Sequence, residues 1–193
     1  MKVLRNIQTL LLGVSLFLLA YLPLFSAFGE PSGEIKNIFY QISFFAVFLV
    51  ILIRPLADIF SSQKWLRKLL ILRKGMGVFS ASIVVGFMLG DVISPGSSYL
   101  ASIFTPAYWS LKDYVFFAHV GDITGFILLV TSNNLSMILL GKIWHRIQNL
   151  AYVYFYTGGI YEAFFLGSAF AFYAMIMVTC ILMLAFLKNK KKK

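Results

Sequence analysis

An all-α integral membrane bundle of about six transmembrane helices, with both termini in the cytoplasm, is what this sequence predicts, and three observations predict it. Of its 193 residues 60% are hydrophobic and only 12% charged, too little polar surface to cover a soluble core. Apolar runs near 20 residues recur along the chain, each long enough to cross ~30 Å of hydrocarbon. The basic residues sit between those runs and fall to one side of them.

The first run, about 7–28, follows Lys2 and Arg5. It is longer than the apolar core of a secretory signal and reads as a transmembrane anchor. A polar link from Gly29 to Glu34 leads to a second run at about 37–56, and a third follows at about 76–93. A polar and aromatic connection, 94–112, precedes the fourth at about 113–131. The fifth spans about 144–164, and the sixth about 168–187 after a turn at Gly167. A basic tail, 188–193, ends a chain that reads as a single transmembrane domain.

Placing the N-terminus inside puts Lys2, Arg5, Arg54, Lys64, Arg67, Lys68, Arg73, Lys74, Lys142, Arg146 and the tail lysines on the cytoplasmic side. Of 17 basic residues only Lys36 and Lys112 fall outside. This asymmetry is the positive-inside pattern of a multi-pass protein, and a prokaryotic inner membrane suits it best. It also assigns the net charge of +10 to orientation and contact with anionic lipid rather than to nucleic acid.

The segment Lys64–Lys74 alternates basic and apolar residues, as an interfacial helix does. Tyr99, Phe104, Tyr108 and Trp109 suit the outer interface. Ser110 and Asp113 have the spacing of a helix start. The single cysteine, Cys180, excludes an internal disulfide.

Ionisable groups inside spans are costly and are functional candidates by default. His119 and Asp122, three residues apart on the fourth span, share a helix face. They are candidates for a cofactor or ion site, or for a buried hydrogen-bonded pair that fixes packing. Gly121 and Gly125 have the small-xxx-small spacing of close helix packing. Asp91, Glu162, Arg54 and Asp58 lie near helix ends and read as interfacial anchors. Gly158 and Gly159 loosen the fifth span. No metal site is expected: the only two histidines, His119 and His145, fall in different parts of the membrane.

Several short motifs resemble the ferric reductase-like transmembrane domain, in particular the membrane haem subunit of the bacterial methionine sulfoxide reductase system. Thr131 and Ser132 end one helix; Leu140, Gly141, Trp144, Leu150 and Tyr152 open the next in that family's pattern. Arg54-Pro55-Leu56, the Leu70–Gly77 segment and Asp122–Gly125 resemble further family elements. The resemblance covers roughly residues 45–165 and implies the fold and topology. It also locates the family's haem-ligand positions, which here carry Gln148, Tyr161 and, in a looser alignment, Phe87. Phe cannot ligate haem and Gln does so poorly.

The resemblance therefore implies a haem-free relative: a membrane subunit or scaffold for a partner protein, a lipid or quinone, or another hydrophobic cofactor in the vacated groove. Its expected partners are membrane lipids and another protein subunit. Two alternatives stand beside it. One is an oxidoreductase electron-transfer subunit, the only enzymatic reading, using haem b or flavin through unusual or partner-supplied ligands. The other is a small proton- or ion-conducting bundle built on His119 and Asp122.

Overall fold

The computed structural model describes residues 2–29, 31–111 and 114–190. The described residues are all helical or in connections, without strands. Two long helices, α1 (Lys2–Phe28) and α2 (Gly33–Ile59), are followed by the short α3 (Lys64–Leu69) and by α4 (Leu72–Ile93). A small helix α5 (Tyr99–Ser102) and a 3₁₀ turn (Pro106–Trp109) form the long connection to α6 (Val115–Thr131). Then come α7 (Asn134–Leu140), α8 (Lys142–Gln148), α9 (Leu150–Ile160) with a π turn at Tyr161–Phe165, and α10 (Ala169–Lys190).

Four helices are individually long and apolar enough to cross a membrane: α1, α2, α4 and α10. Counting the bent pair α6 and α7 as one span makes five. The helices outrun the predicted spans at the basic end, where α1 begins at Lys2 rather than 7 and α4 at Leu72 rather than 76. Apolar runs measure the hydrocarbon-facing part of a helix, and backbone hydrogen bonding carries the helix past it.

The fourth and fifth expected spans differ more. At the end of α6 the Thr131 and Ser132 hydroxyls donate to the carbonyls of Ile127 and Leu128. Such side-chain bonds compete with helix continuation. Asn133 then accepts from the Ser136 amide at 2.7 Å, capping α7, which leaves α6 at 93°. The expected fifth span is accordingly not one helix. Its first part is α8, held at the end of α6 by Trp144 Nε1 donating to the Thr131 carbonyl at 2.8 Å. A turn at Asn149 separates α8 from α9. The expected helix start at Asp113, like Lys112, Glu30 and the last three lysines, lies outside the described residues. Helix α6 follows Tyr114, whose φ of 56° is left-handed, an uncommon state for a bulky residue.

Helices α1 and α4 run side by side in the same direction, with Leu11 beside Gly75, Leu22 beside Gly86 and Ser26 beside Gly90. A Cβ on Gly86 would stand 2.9 Å from Leu22 Cβ, and one on Gly90 would collide with the Ser26 side chain. Glycine at these positions allows a backbone approach that dispersion then stabilises. Leu22, Ile83 and Phe87 are fully buried in this seam. Helix α2 runs opposite to α4 and leads to the larger core, where Phe44, Phe48 and Phe155 meet Ala171, Ala174 and Val178 of α10. Lys188 donates to the Ile59 carbonyl, so the ends of α2 and α10 coincide.

Candidate functional site

Where α2, α4, α6 and α9 converge, between the seam and the larger core, they leave an open cleft. Its walls are apolar or aromatic: Phe44 and Val47 from α2, Val84 from α4, Ala118 from α6. The polar groups reaching it are Tyr40, Ser43, Asp122, Tyr154, Tyr161 and Glu162. Among the described residues no lysine, arginine or histidine lines it.

At its base, hydroxyls from three helices form one network. Ser43 Oγ lies 2.9 Å from Ser80 Oγ, and the Tyr154 hydroxyl is 3.1 Å from each. A second contact joins Ser43 Oγ to the Ser80 carbonyl at 3.1 Å. All three side chains are buried, where an unpaired hydroxyl would be costly. Mutual pairing satisfies them and fixes α2, α4 and α9 to one another.

The carboxyls above this base are not satisfied in that way. Neither Asp122 nor Glu162 has a side-chain hydrogen bond or ion pair among the described residues. Glu162 is only 3% exposed, which corrects its expected place as an interfacial anchor. Glu162 follows Gly159 by three residues and Phe155 by seven, on the buried face of α9. A π turn, in which Leu166 N bonds the Tyr161 carbonyl at 3.3 Å, ends the helix there. Single π turns of this kind recur at functional sites. Close glycine packing precedes the turn, since a Cβ on Gly159 would stand 2.7 Å from Met175 Sδ. Apolar periodicity carries no signal for a π turn; a glutamate within the aromatic run Tyr161–Phe165 was the only hint.

The five candidate residues separate. Asp122 and Tyr161 line the cleft together. His119 does not pair with Asp122. Its Nδ1 lies 2.8 Å from the Tyr108 carbonyl, and its ring stacks on Tyr108 with centroids 3.4 Å apart. It therefore ties the 3₁₀ turn of the long connection onto α6. Tyr99 completes that cluster through its hydroxyl, 2.9 Å from the Tyr108 hydroxyl. Burial first, and then this hydrogen bond, raise the Tyr99 hydroxyl above the ordinary phenol range. Phe87 is fully buried in the α1–α4 seam, against Phe39 and Tyr40. Gln148 is elsewhere again, at the basic end, donating to Thr131 Oγ1 at 3.3 Å.

These positions do not fit a haem held by this chain's own side chains. The aligned residues neither converge nor supply an imidazole, and the Tyr108 ring covers one face of His119. His145 lies on α8, against Trp144. Among the described residues, no three His, Cys, Asp or Glu side chains are grouped to hold a metal ion. The expected small-residue packing does form: a Cβ on Gly125 would stand 3.1 Å from the Tyr154 ring, and one on Gly121 would stand 3.5 Å from Thr157 Oγ1.

No family model, no curated protein and no solved structure matches this chain.

Proposed function

We propose that this chain is a multi-pass membrane protein that holds a small apolar ligand with a polar head, of the quinone or lipid class, in the cleft between α2, α4, α6 and α9. The observation that carries this reading is the pairing of an apolar, aromatic wall with two unpartnered carboxyls, Asp122 and Glu162. Ligand sites have this composition: mostly apolar surface and a few convergent polar groups that set orientation. Tyr40 and Tyr161 add hydroxyls with no hydrogen-bond partner among the described residues, so the cleft offers donors and acceptors to a ligand's head.

The proposal keeps the ferric reductase-like scaffold as the ancestral arrangement and assigns this chain no haem of its own. It takes six crossings, with α9 and its π turn as the fifth, both termini in the cytoplasm and a prokaryotic inner membrane. The basic residues at the ends of α2 and α10 and along α3 support that orientation. In this reading the chain acts as a subunit, and a partner protein uses or delivers the ligand.

The test is mass spectrometry of apolar small molecules extracted from the detergent-purified protein, beside its oxidised and dithionite-reduced absorption spectra. Wild-type protein is expected to carry one ligand class near stoichiometry. The Asp122→Asn, Glu162→Gln double variant is expected to carry at least about tenfold less, the equivalent of one or two lost polar contacts. Equal ligand content in both proteins would refute the role of the carboxyls. A stoichiometric Soret band would instead favour the electron-transfer reading, with haem held by unusual ligands.

A further inference from the structure

The basic end of the bundle holds a second, open cavity lined by Arg54, Ala57, Asp58, Arg67, Leu70 and Arg73. Its residues differ from those of the cleft, and its chemistry is opposite. Arg54 comes from the last turns of α2, Arg67 from α3, and Arg73 from the first turn of α4. Two contacts fix this convergence. Leu66 is buried and holds α3 to the bundle. Arg73 Nε donates to the Val50 carbonyl at 3.2 Å, which anchors the side chain and leaves its terminal nitrogens free to donate elsewhere.

The charges do not balance. Three guanidinium groups meet one carboxylate, Asp58, and none of the three forms an ion pair with it. Lys36 with Asp91 is the only ion pair among the described residues. Arg54, Arg67 and Arg73 line the one cavity, the first two exposed and Arg73 half-buried. Gathering like charges on packed helices costs free energy unless an anion completes the group. Guanidinium forks match the paired oxygens of a phosphate in both geometry and charge. Beside the cavity, Trp65 on α3 is 58% exposed, as suits a helix lying at a lipid surface.

We propose that Arg54, Arg67 and Arg73 form a binding site for a phosphate group, carried either by an anionic phospholipid headgroup or by a small soluble phosphate. The alternative is diffuse attraction, in which every basic residue of α3 and its neighbours contributes alike.

The experiment uses the full chain in nanodiscs of phosphatidylcholine, with or without phosphatidylglycerol, read by native mass spectrometry of retained lipid and by thermal melting. Two double variants remove the same charge: Arg54→Gln with Arg67→Gln at the cavity, and Lys64→Gln with Lys68→Gln on exposed α3 positions outside it. The cavity pair is expected to lower phosphatidylglycerol retention about tenfold, and the control pair by less than about twofold. Retention that millimolar inorganic phosphate leaves unchanged identifies the lipid headgroup as the source. A rise in melting temperature on adding inorganic phosphate to phosphatidylcholine discs, lost in the cavity pair, identifies a soluble phosphate. Equal losses in the two pairs, or no response to either probe, would overturn the proposal. Should the glutamine pair fail to assemble, Arg54→Lys with Arg67→Lys keeps the charge and removes the fork, and it too should reduce binding.

Discussion

The α1–α4 seam and the cleft between α2, α4, α6 and α9 share helix α4, yet they treat space in opposite ways. Along the seam, glycine at 86 and 90 lets two backbones touch, and Phe87 fills what remains until it is fully buried. Across the cleft, Gly121 and Gly125 also let α6 approach α9, but the flanking side chains are Tyr, Asp and Glu. Small residues alone therefore do not decide whether a membrane interface closes. Polar side chains that pair with one another, like Ser43, Ser80 and Tyr154, close it. The unpartnered carboxyls Asp122 and Glu162 line open space, whereas the small Ser26 hydroxyl, also without a partner among the described residues, is enclosed in the seam.

The largest expected effect comes from forcing the seam apart. Gly90→Leu places a branched side chain where even a Cβ meets Ser26. The expected loss of folding stability is about 3 kcal/mol, the upper range for overpacking a dense core, measured by thermal melting in detergent. A wild-type melting curve would mean that α1 and α4 are not packed this closely. A smaller effect is expected at the base of the cleft. Tyr154→Phe removes one hydroxyl from the three-membered network and should cost about 1 kcal/mol. The Ser43 and Ser80 hydroxyls remain to bond each other, which limits the loss.

The smallest effect on stability is expected from the cleft carboxyls. Asp122→Asn with Glu162→Gln breaks no hydrogen bond or ion pair within the described residues. Its melting temperature in ligand-free detergent should match the wild type, even as ligand content falls. A loss as large as that of Gly90→Leu would make the carboxyls structural and remove the distinction between the two regions.

The long helices were legible in the sequence because hydropathy over 20 residues is a bulk property, and burial in lipid and burial in protein select for it alike. Their ends were less so. The bend after α6 depends on the Thr131 and Ser132 hydroxyls turning back onto the helix, and those same residues had contributed to the expected helix end. The proposed His119–Asp122 pair followed from spacing on one helix, which is blind to a neighbouring segment. Tyr108 reaches His119 from the connection that precedes α6 and engages the ring on its face and at Nδ1. Glu162 was misplaced for a related reason: its position near a helix end was weighed above the buried helix face it shares with Phe155 and Gly159. Asp122 was found because a carboxylate in an apolar run stands out whatever surrounds it.

The most direct test of the account labels both regions in one protein. With Cys180→Ser as background, Ala118→Cys reports on the cleft and Ile83→Cys on the seam, where Ile83 is fully buried. The account predicts that a small apolar maleimide modifies the cysteine at 118 at least about tenfold faster than that at 83, because reaction requires access. It further predicts that a short-chain quinone or a lysolipid slows labelling at 118 alone. Equal labelling at the two positions, or labelling at 118 that no apolar ligand slows, would contradict a ligand-binding cleft between α2, α4, α6 and α9.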